Sequence, residues 1–374
     1  MSIRKRTWET TDGPKTAWVV DYKDQSGTRR LKTFARQKDA RAWWDGHAGH
    51  EVARGTHTPE SASITVAEAG ADWIKWAELE GLERATVEGY RQHVKFHINP
   101  HIGNVKLAKL TSPGVERFRD ALLETISRPL TKKVLTSLKG LLKRAQLRGE
   151  VAQNVALPVS VTMKKRDKRN LEVGVDVPSP PEIKQIIDAC EDRWRPVIVT
   201  AIFTGLRASE LRGLTWGHVD LDAREIRVRK RADRWNKMGP PKSKAGERDV
   251  RVPPIVVNTL REWKLRCPKG DLDLVFPTGA GGIEAQTNIY RRGLGETLQR
   301  IGMVDSRGRQ KYGLHSLRHF YASWLISLGF QAKRVQGLLG HASIVLTMDC
   351  YAHWFPNEED DHERLAAGEL AVIG

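Results

Sequence analysis

Cysteine is scarce. Cys190, Cys267 and Cys350 are the only three in 374 residues, and no Cys-x-x-Cys spacing occurs. So sparse and odd a set excludes a disulfide scaffold and a cysteine-based zinc site, and fits reduced, intracellular thiols. Long apolar runs are also missing: no uninterrupted stretch reaches the roughly 18 residues that suggest a membrane span. The opening MSIRKRTWETTDG is basic but has no apolar segment behind it, which excludes a secretory signal. The expected location is cytoplasmic. Acidic residues are in deficit, 45 against 62 Lys and Arg, for a net charge of +17. An excess of that size points to a polyanionic partner, nucleic acid or an anionic membrane surface. The length exceeds one average core, so two or three domains are expected.

What is present divides the chain into five parts. Residues 1–58 hold 12 Lys and Arg against 7 Asp and Glu. TAWVVDYKD and TRRLKTFA predict two hairpin strands around a turn at residues 24–27. RQKDARAWWDGHAGHEVARG predicts a helix with Ala40, Trp43, Trp44 and Ala48 roughly on one face. A small basic sheet of this kind suits a DNA groove, with Arg29 and Arg30 as candidate contacts. GTHTPESAS is a polar connector. Residues 64–157 read as a helical domain. In TKKVLTSLKGLLKRAQLRG, Val134, Leu138, Leu141, Leu142 and Ala145 make one apolar stripe, while Lys132, Lys139 and Lys143 lie on the other faces as candidate phosphate contacts. Residues 158–178 form a linker, basic and then rich in Gly and Pro. A domain from 179 to 356 opens on a capping box, Ser179 with Glu182, and Pro180 in the first turn. It is mostly helical, with one ribbon of two or three strands around Ile226, Val228, Val250 and Val252. The tail, 357–374, is acidic and then apolar. The predicted fold class is multidomain and mainly α with small β elements.

Four pieces of the 179–356 domain carry chemistry-bearing side chains. TGLRASELRG sets Arg207 after a glycine turn near a helix start, with Glu210 three residues on. PPKSKAGERDV offers Lys242 and Lys244 on the ribbon's turn. HSLRHFYASWLI places His315 and Arg318 on one helix face, and GHASIVLTMDCY supplies His341 and then Tyr351. Singly, each has a bland reading: an ion pair, a helix-surface pair, a packed tyrosine. Their order and spacing together closely resemble the catalytic domain of the tyrosine recombinases, the phage-integrase family. Residues 1–58 and 64–157 resemble, more loosely, that family's arm-site-binding and core-site-binding domains.

The resemblance implies a site-specific recombinase of a phage or mobile element. Such an enzyme cuts one DNA strand with a tyrosine hydroxyl, leaving a 3′-phosphotyrosine and a free 5′-hydroxyl. It implies Tyr351 as nucleophile, Arg207 and Arg318 gripping the phosphate, and Lys242 protonating the leaving oxygen, with Lys244 the alternative. His315 and His341 would bind the phosphate and manage the tyrosine proton. Glu210 would orient Arg207, His319 would be structural and point to another face, and His353 stands outside the set. No cofactor and no metal are expected: His315 and His319 stand at i, i+4, but no third ligand joins them and Arg318 between them opposes a cation. The expected partners are double-stranded DNA attachment sites, four protomers acting together on DNA, a directionality factor (excisionase) and a DNA-bending host protein in a bacterial cell. The tail would pack on a neighbouring protomer or fold back on its own domain. Competing readings are a DNA-binding architectural protein on the same fold, against which the complete residue set argues, and a type IB topoisomerase, against which the arm-type N-terminal segment argues.

Overall fold

The computed structural model describes residues 1–11, 13–23, 27–53, 63–162, 170–191, 193–355 and 361–373. Part of the expected first turn (24–26), the connector at 54–62, the basic part of the linker (163–169) and the start of the tail (356–360) lie outside them. The chain forms two compact units, Met1–Asp167 and Lys168–Gly374.

The first unit holds two separate buried clusters. Strands β1 (Ser2–Thr10), β2 (Gly13–Lys23) and β3 (Arg29–Phe34) form an antiparallel sheet in sequence order. Its Val20 and Tyr22 pack with Ala40 of helix α1 (Gln37–Trp43). The rings of Trp43 and Trp44 lie 5.7 and 5.8 Å from that of Tyr22. The predicted helix is not a uniform one: a π-helical turn, Trp44–Ala48, interrupts it before a last turn at Gly49–Ala53.

The second cluster is helical. Helix α2 (Val66–Leu79) starts on a capping box in which Thr65 and Glu68 satisfy each other's backbone N–H groups, at 3.2 and 2.7 Å. Helices α3 (Arg84–His93), α4 (Ser112–Thr125) and α5 (Arg128–Leu147) complete it. In α5 the predicted stripe of Val134, Leu138, Leu141, Leu142 and Ala145 is buried, together with Leu135. Burying such a stripe stabilises by roughly 1.5–3 kcal/mol for each large aliphatic side chain, so packing outweighs propensity here.

In the second unit, α6 (Pro180–Ala189) begins on the predicted box, with the Ser179 N–H and hydroxyl each donating to Glu182 at 2.8 Å. The same carboxylate accepts from the Tyr312 hydroxyl at 2.9 Å and from Lys311 at 2.8 Å. Burial opposes its charge, but these donors hold it at a pKa of about 2. Helix α7 (Trp194–Thr204) is buried along most of its length, as its run of Val, Ile, Thr and Ala allows. Helix α8 (Ala208–Arg212) follows. Strands β4 (Val219–Asp220), β5 (Glu225–Val228) and β8 (Arg248–Arg251) make the predicted ribbon, with Ile226 opposite Val250. A small hairpin, β6 (Arg231–Ala232) and β7 (Met238–Gly239), fills the turn region between β5 and β8.

Helices α9 (Pro254–Arg266), α10 (Leu314–Ser327), α11 (Ala332–Leu339), α12 (Ile344–Tyr351) and α13 (Asp361–Ile373) follow along the rest of the unit. The fold is mainly α with small sheets, as predicted. No helix among the described residues is long and apolar enough to cross a membrane.

Candidate active site

The site begins where α7 ends. Gly205 takes the left-handed conformation, φ +58°. A Cβ there would also stand 2.4 Å from a ring carbon of Tyr321, so both backbone and space require glycine. That turn delivers Arg207 to the N-cap position of α8. The Arg207 N–H donates to Glu210 Oε2 at 2.9 Å and its Nη1 to Oε1 at 2.7 Å. Glu210 is buried and takes a second arginine, Arg248, whose Nη2 donates to Oε2 at 2.8 Å. Burial alone would raise the Glu210 pKa. Arg248 and then Arg207 outweigh it and hold the carboxyl below its usual range.

The two expected phosphate-gripping arginines are pinned by helix ends. Arg318, on α10, is 2% exposed. Its Nη1 donates to the Gly205 carbonyl at 2.6 Å and its Nη2 to the Leu339 carbonyl at 2.5 Å. Arg207 Nη2 donates to the Gly340 carbonyl at 2.8 Å. These are carbonyls at the C-terminal ends of α7 and α11, where the helix dipole is negative and a cation is favoured. Burial, then repulsion from Arg207 and Arg248, lowers Arg318 to about 9, so it stays charged at neutral pH. Each guanidinium has five N–H donors. Arg318 spends two on these carbonyls and Arg207 one on Gly340 and one on Glu210, which leaves three on each for an oxyanion.

Gly340 ends α11 with φ +64°, and a Cβ there would meet the Ala245 carbonyl and Arg248 Nη1, each at 2.9 Å. His341 follows, with Nδ1 2.9 Å from the Thr347 hydroxyl. Ser343 caps α12, which ends on Tyr351. Tyr351 is 1% exposed and stacks on Trp354 at 5.5 Å, with the His341 ring parallel to it at 6.4 Å. Burial pushes the phenol's pKa above its ordinary value, with Arg318 pulling the other way. His315 is exposed, and its ring meets that of His319 edge-on at 4.6 Å. Partial loss of hydration, then Arg318 and Arg207, lowers its pKa.

The structure thus brings Arg207, His315, Arg318, His341 and Tyr351 together. Lys242 and Lys244 are exposed on the turn ahead of β8, and neither makes a hydrogen bond or ion pair among the described residues. The turn itself reaches the site, since the Ala245 carbonyl abuts Gly340. Of the expected DNA contacts, Lys132 and Lys143 are exposed, while Lys139 donates to the Leu157 carbonyl at 3.2 Å. Arg29 is exposed but pairs with Asp21, Nε to Oδ1 at 2.9 Å; Arg30 is half-buried.

One expectation needs correcting. His319 does not point away: its Nδ1 lies 2.8 Å from the Tyr351 hydroxyl. Residues at i and i+4 share a helix face, so its spacing from His315 already carried that signal. Arg248 went unnoticed as well. It shares the strand alternation that turns Val250 inward, and β8 buries both.

Glu210 joins the two arginines, so Glu210→Gln leaves buried positive charge uncompensated. Breaking a buried pair costs about 3–5 kcal/mol. At roughly 2–4 °C per kcal/mol, melting should fall by about 6–20 °C. A melting temperature within about 2 °C of wild type, read by calorimetry, would show that the network is not holding the site.

Residues 179–358 match the phage integrase family, and residues 65–123 match the N-terminal SAM-like domain of phage integrases. A XerC-like tyrosine recombinase of Caldanaerobacter subterraneus subsp. tengcongensis is 25% identical over 323 residues, covering 79% of this chain and 81% of its own. An integrase of Streptomyces ambofaciens is 26% identical over 345 residues, covering 87% and 84%. Among solved structures, the integrase of transposon Tn1549, in complex with a circular intermediate DNA, superposes with a TM-score of 0.67. It covers 82% of this chain and 100% of its own at 18% identity. A lambda integrase tetramer bound to a Holliday junction gives 0.59, covering 90% and 95% at 16% identity.

Proposed function

This chain belongs to the phage integrase family of tyrosine recombinases, and on that premise we propose how its residues break and rejoin DNA. The observation that carries the reading is that Arg207 and Arg318, each with N–H donors to spare, are pinned close to one another while Arg318 also acts on the buried phenol of Tyr351. Tyr351 attacks the scissile phosphate, the P–O5′ bond breaks, and a 3′-phosphotyrosine forms. The energy of the broken bond is kept in that link, so rejoining needs no nucleotide cofactor. Arg207 and Arg318 hold the non-bridging oxygens through planar N–H pairs while negative charge grows. His315 and His341 complete the phosphate cradle. Lys242 donates the proton to the leaving 5′-oxygen, with Lys244 the alternative, and the exposed turn that carries both supports a group able to swing in when DNA binds.

The partners are duplex attachment sites, engaged by residues 64–157 and 179–356 around the core sequence and by residues 1–58 at arm sites. Four protomers assemble on two sites, with a directionality factor and a DNA-bending host protein controlling direction. The tail supports docking between protomers, because Leu365, Leu370, Val372 and Ile373 of α13 are all exposed.

The test is to incubate the protein with a nicked duplex from the element's own junction and look for a covalent protein–DNA species on a denaturing gel. Its formation is expected. Its absence would favour an architectural DNA-binding role. Deleting residues 1–58 should spare this cleavage and block integration that depends on arm sites; full integration by the truncated chain would refute the arm-binding assignment.

A further inference from the structure

His319 and His341 flank Tyr351, His315 lies against His319, and of the three only His319 touches the hydroxyl. His341 Nδ1 is occupied by Thr347 at 2.9 Å. His315 is exposed and makes no hydrogen bond among the described residues, which leaves it for a phosphate oxygen. His319 Nδ1 stands 2.8 Å from Tyr351 Oη, with the rings 68° apart. We propose that His319 is the base that receives the Tyr351 proton during attack on DNA, and returns it on religation. The proposal rests on the reading of Tyr351 as nucleophile.

The chemistry balances. The Oη–H proton passes to Nδ1, an Oη–P bond forms, and the P–O5′ bond breaks with its electron pair on the 5′-oxygen. That oxygen takes a separate proton from the lysine. His319 becomes an imidazolium and gives its proton back to the phenolic oxygen when the 5′-hydroxyl re-attacks. For this, Nδ1 must carry a lone pair beforehand, with the ring proton on Nε2. Burial, then His315 and Arg318, keeps the imidazole neutral at pH 7, with a pKa of about 4. The charged and titratable groups around it are His315 and Arg318 on its own helix, Tyr351 from α12, and Asp176 from the segment ahead of α6. Asp176 alone favours the imidazolium.

So weak a base cannot deprotonate a phenol that burial has made still less acidic. The free enzyme therefore keeps Tyr351 protonated and inert. A bound phosphate adds negative charge beside His319, and bond formation to phosphorus makes the phenolic oxygen far more acidic. Transfer then runs together with attack, where general base catalysis typically contributes about 10²–10⁴-fold.

The test uses the full-length protein and a nicked core-site duplex with sulfur replacing the bridging 5′-oxygen. The thiolate leaves without a proton, so the lysine step is bypassed. Single-turnover adduct formation is followed from pH 6 to 9. Wild type should be nearly flat. His319→Ala should be about 100-fold or more slower at pH 7, rise toward tenfold per pH unit, and be rescued by added imidazole. His319→Asn places an amide where Nδ1 was, so it can hold the hydroxyl but not take its proton; it should stay as slow as alanine. It also decides the matter if the alanine variant fails to fold. Recovery in the asparagine variant would reduce His319 to positioning and overturn the proposal. So would a rate at or above wild type in the alanine variant, or a uniform loss with neither slope nor rescue. If wild type forms no adduct, the nucleophile assignment fails first and takes this proposal with it.

Discussion

Tyr351→Phe is expected to fold, to bind core-site DNA as wild type does, and to form no covalent adduct at all. The ring keeps its stack on Trp354 and its parallel neighbour His341. Only a hydroxyl is lost, and with it the contact to His319. An unpaired buried partner costs about 1–3 kcal/mol, so melting should drop by no more than roughly 12 °C. Two other phenols of the second unit are not fitted to take over. Tyr312 is buried and gives its hydroxyl to Glu182, and Tyr321 is buried with its pKa pushed up to about 12. Adduct formation persisting in the phenylalanine variant, on a denaturing gel with nicked substrate, would refute Tyr351 as nucleophile.

Arg318→Ala should separate chemistry from binding. A preorganised donor to the transition-state charge is worth roughly 2.7–4 kcal/mol, so cleavage should fall by about 10²–10³-fold or more. Affinity should change little, because contacts to many phosphates along the duplex supply most of it. The variant also leaves the Gly205 and Leu339 carbonyls without their donor, so a lower melting temperature will accompany the loss. Arg318→Lys separates these effects: it keeps the charge, but an ammonium cannot span two carbonyls and a phosphate as a planar fork does. Lysine should therefore recover part of the stability and little of the rate. Near-wild-type cleavage by the alanine variant, or a tenfold loss of core-site affinity by titration, would contradict the assignment.

Local features of this fold were legible in the sequence. The α5 stripe, the Ser179–Glu182 capping box and the inward alternation of Ile226, Val228 and Val250 each follow from a spacing of a few residues. The order of Arg207, His315, Arg318, His341 and Tyr351 was legible too, through resemblance rather than periodicity. Contacts across long separations were not. Arg318 is held by a carbonyl 113 residues earlier, and Glu210 by Arg248, 38 residues later. No local pattern encodes such pairs, because they depend on which helix ends meet. His319 was misread because its adjacency to Arg318 was weighed above its helical register with His315. The π-helical turn at Trp44–Ala48 was equally hidden, since a phase shift inside a helix leaves composition unchanged. Lys242 and Lys244 stay equivalent for a related reason. Both sit on an exposed turn where nothing in the free protein selects one.

The central claim is that one particular oxygen becomes bonded to DNA. The most direct measurement is to trap the adduct on nicked substrate, digest protein and DNA, and sequence the nucleotide-bearing peptide by mass spectrometry. The account predicts a single modified residue, Tyr351, esterified to a 3′-phosphate. A nucleotide on any other side chain, or a 5′-phosphate link, would contradict it.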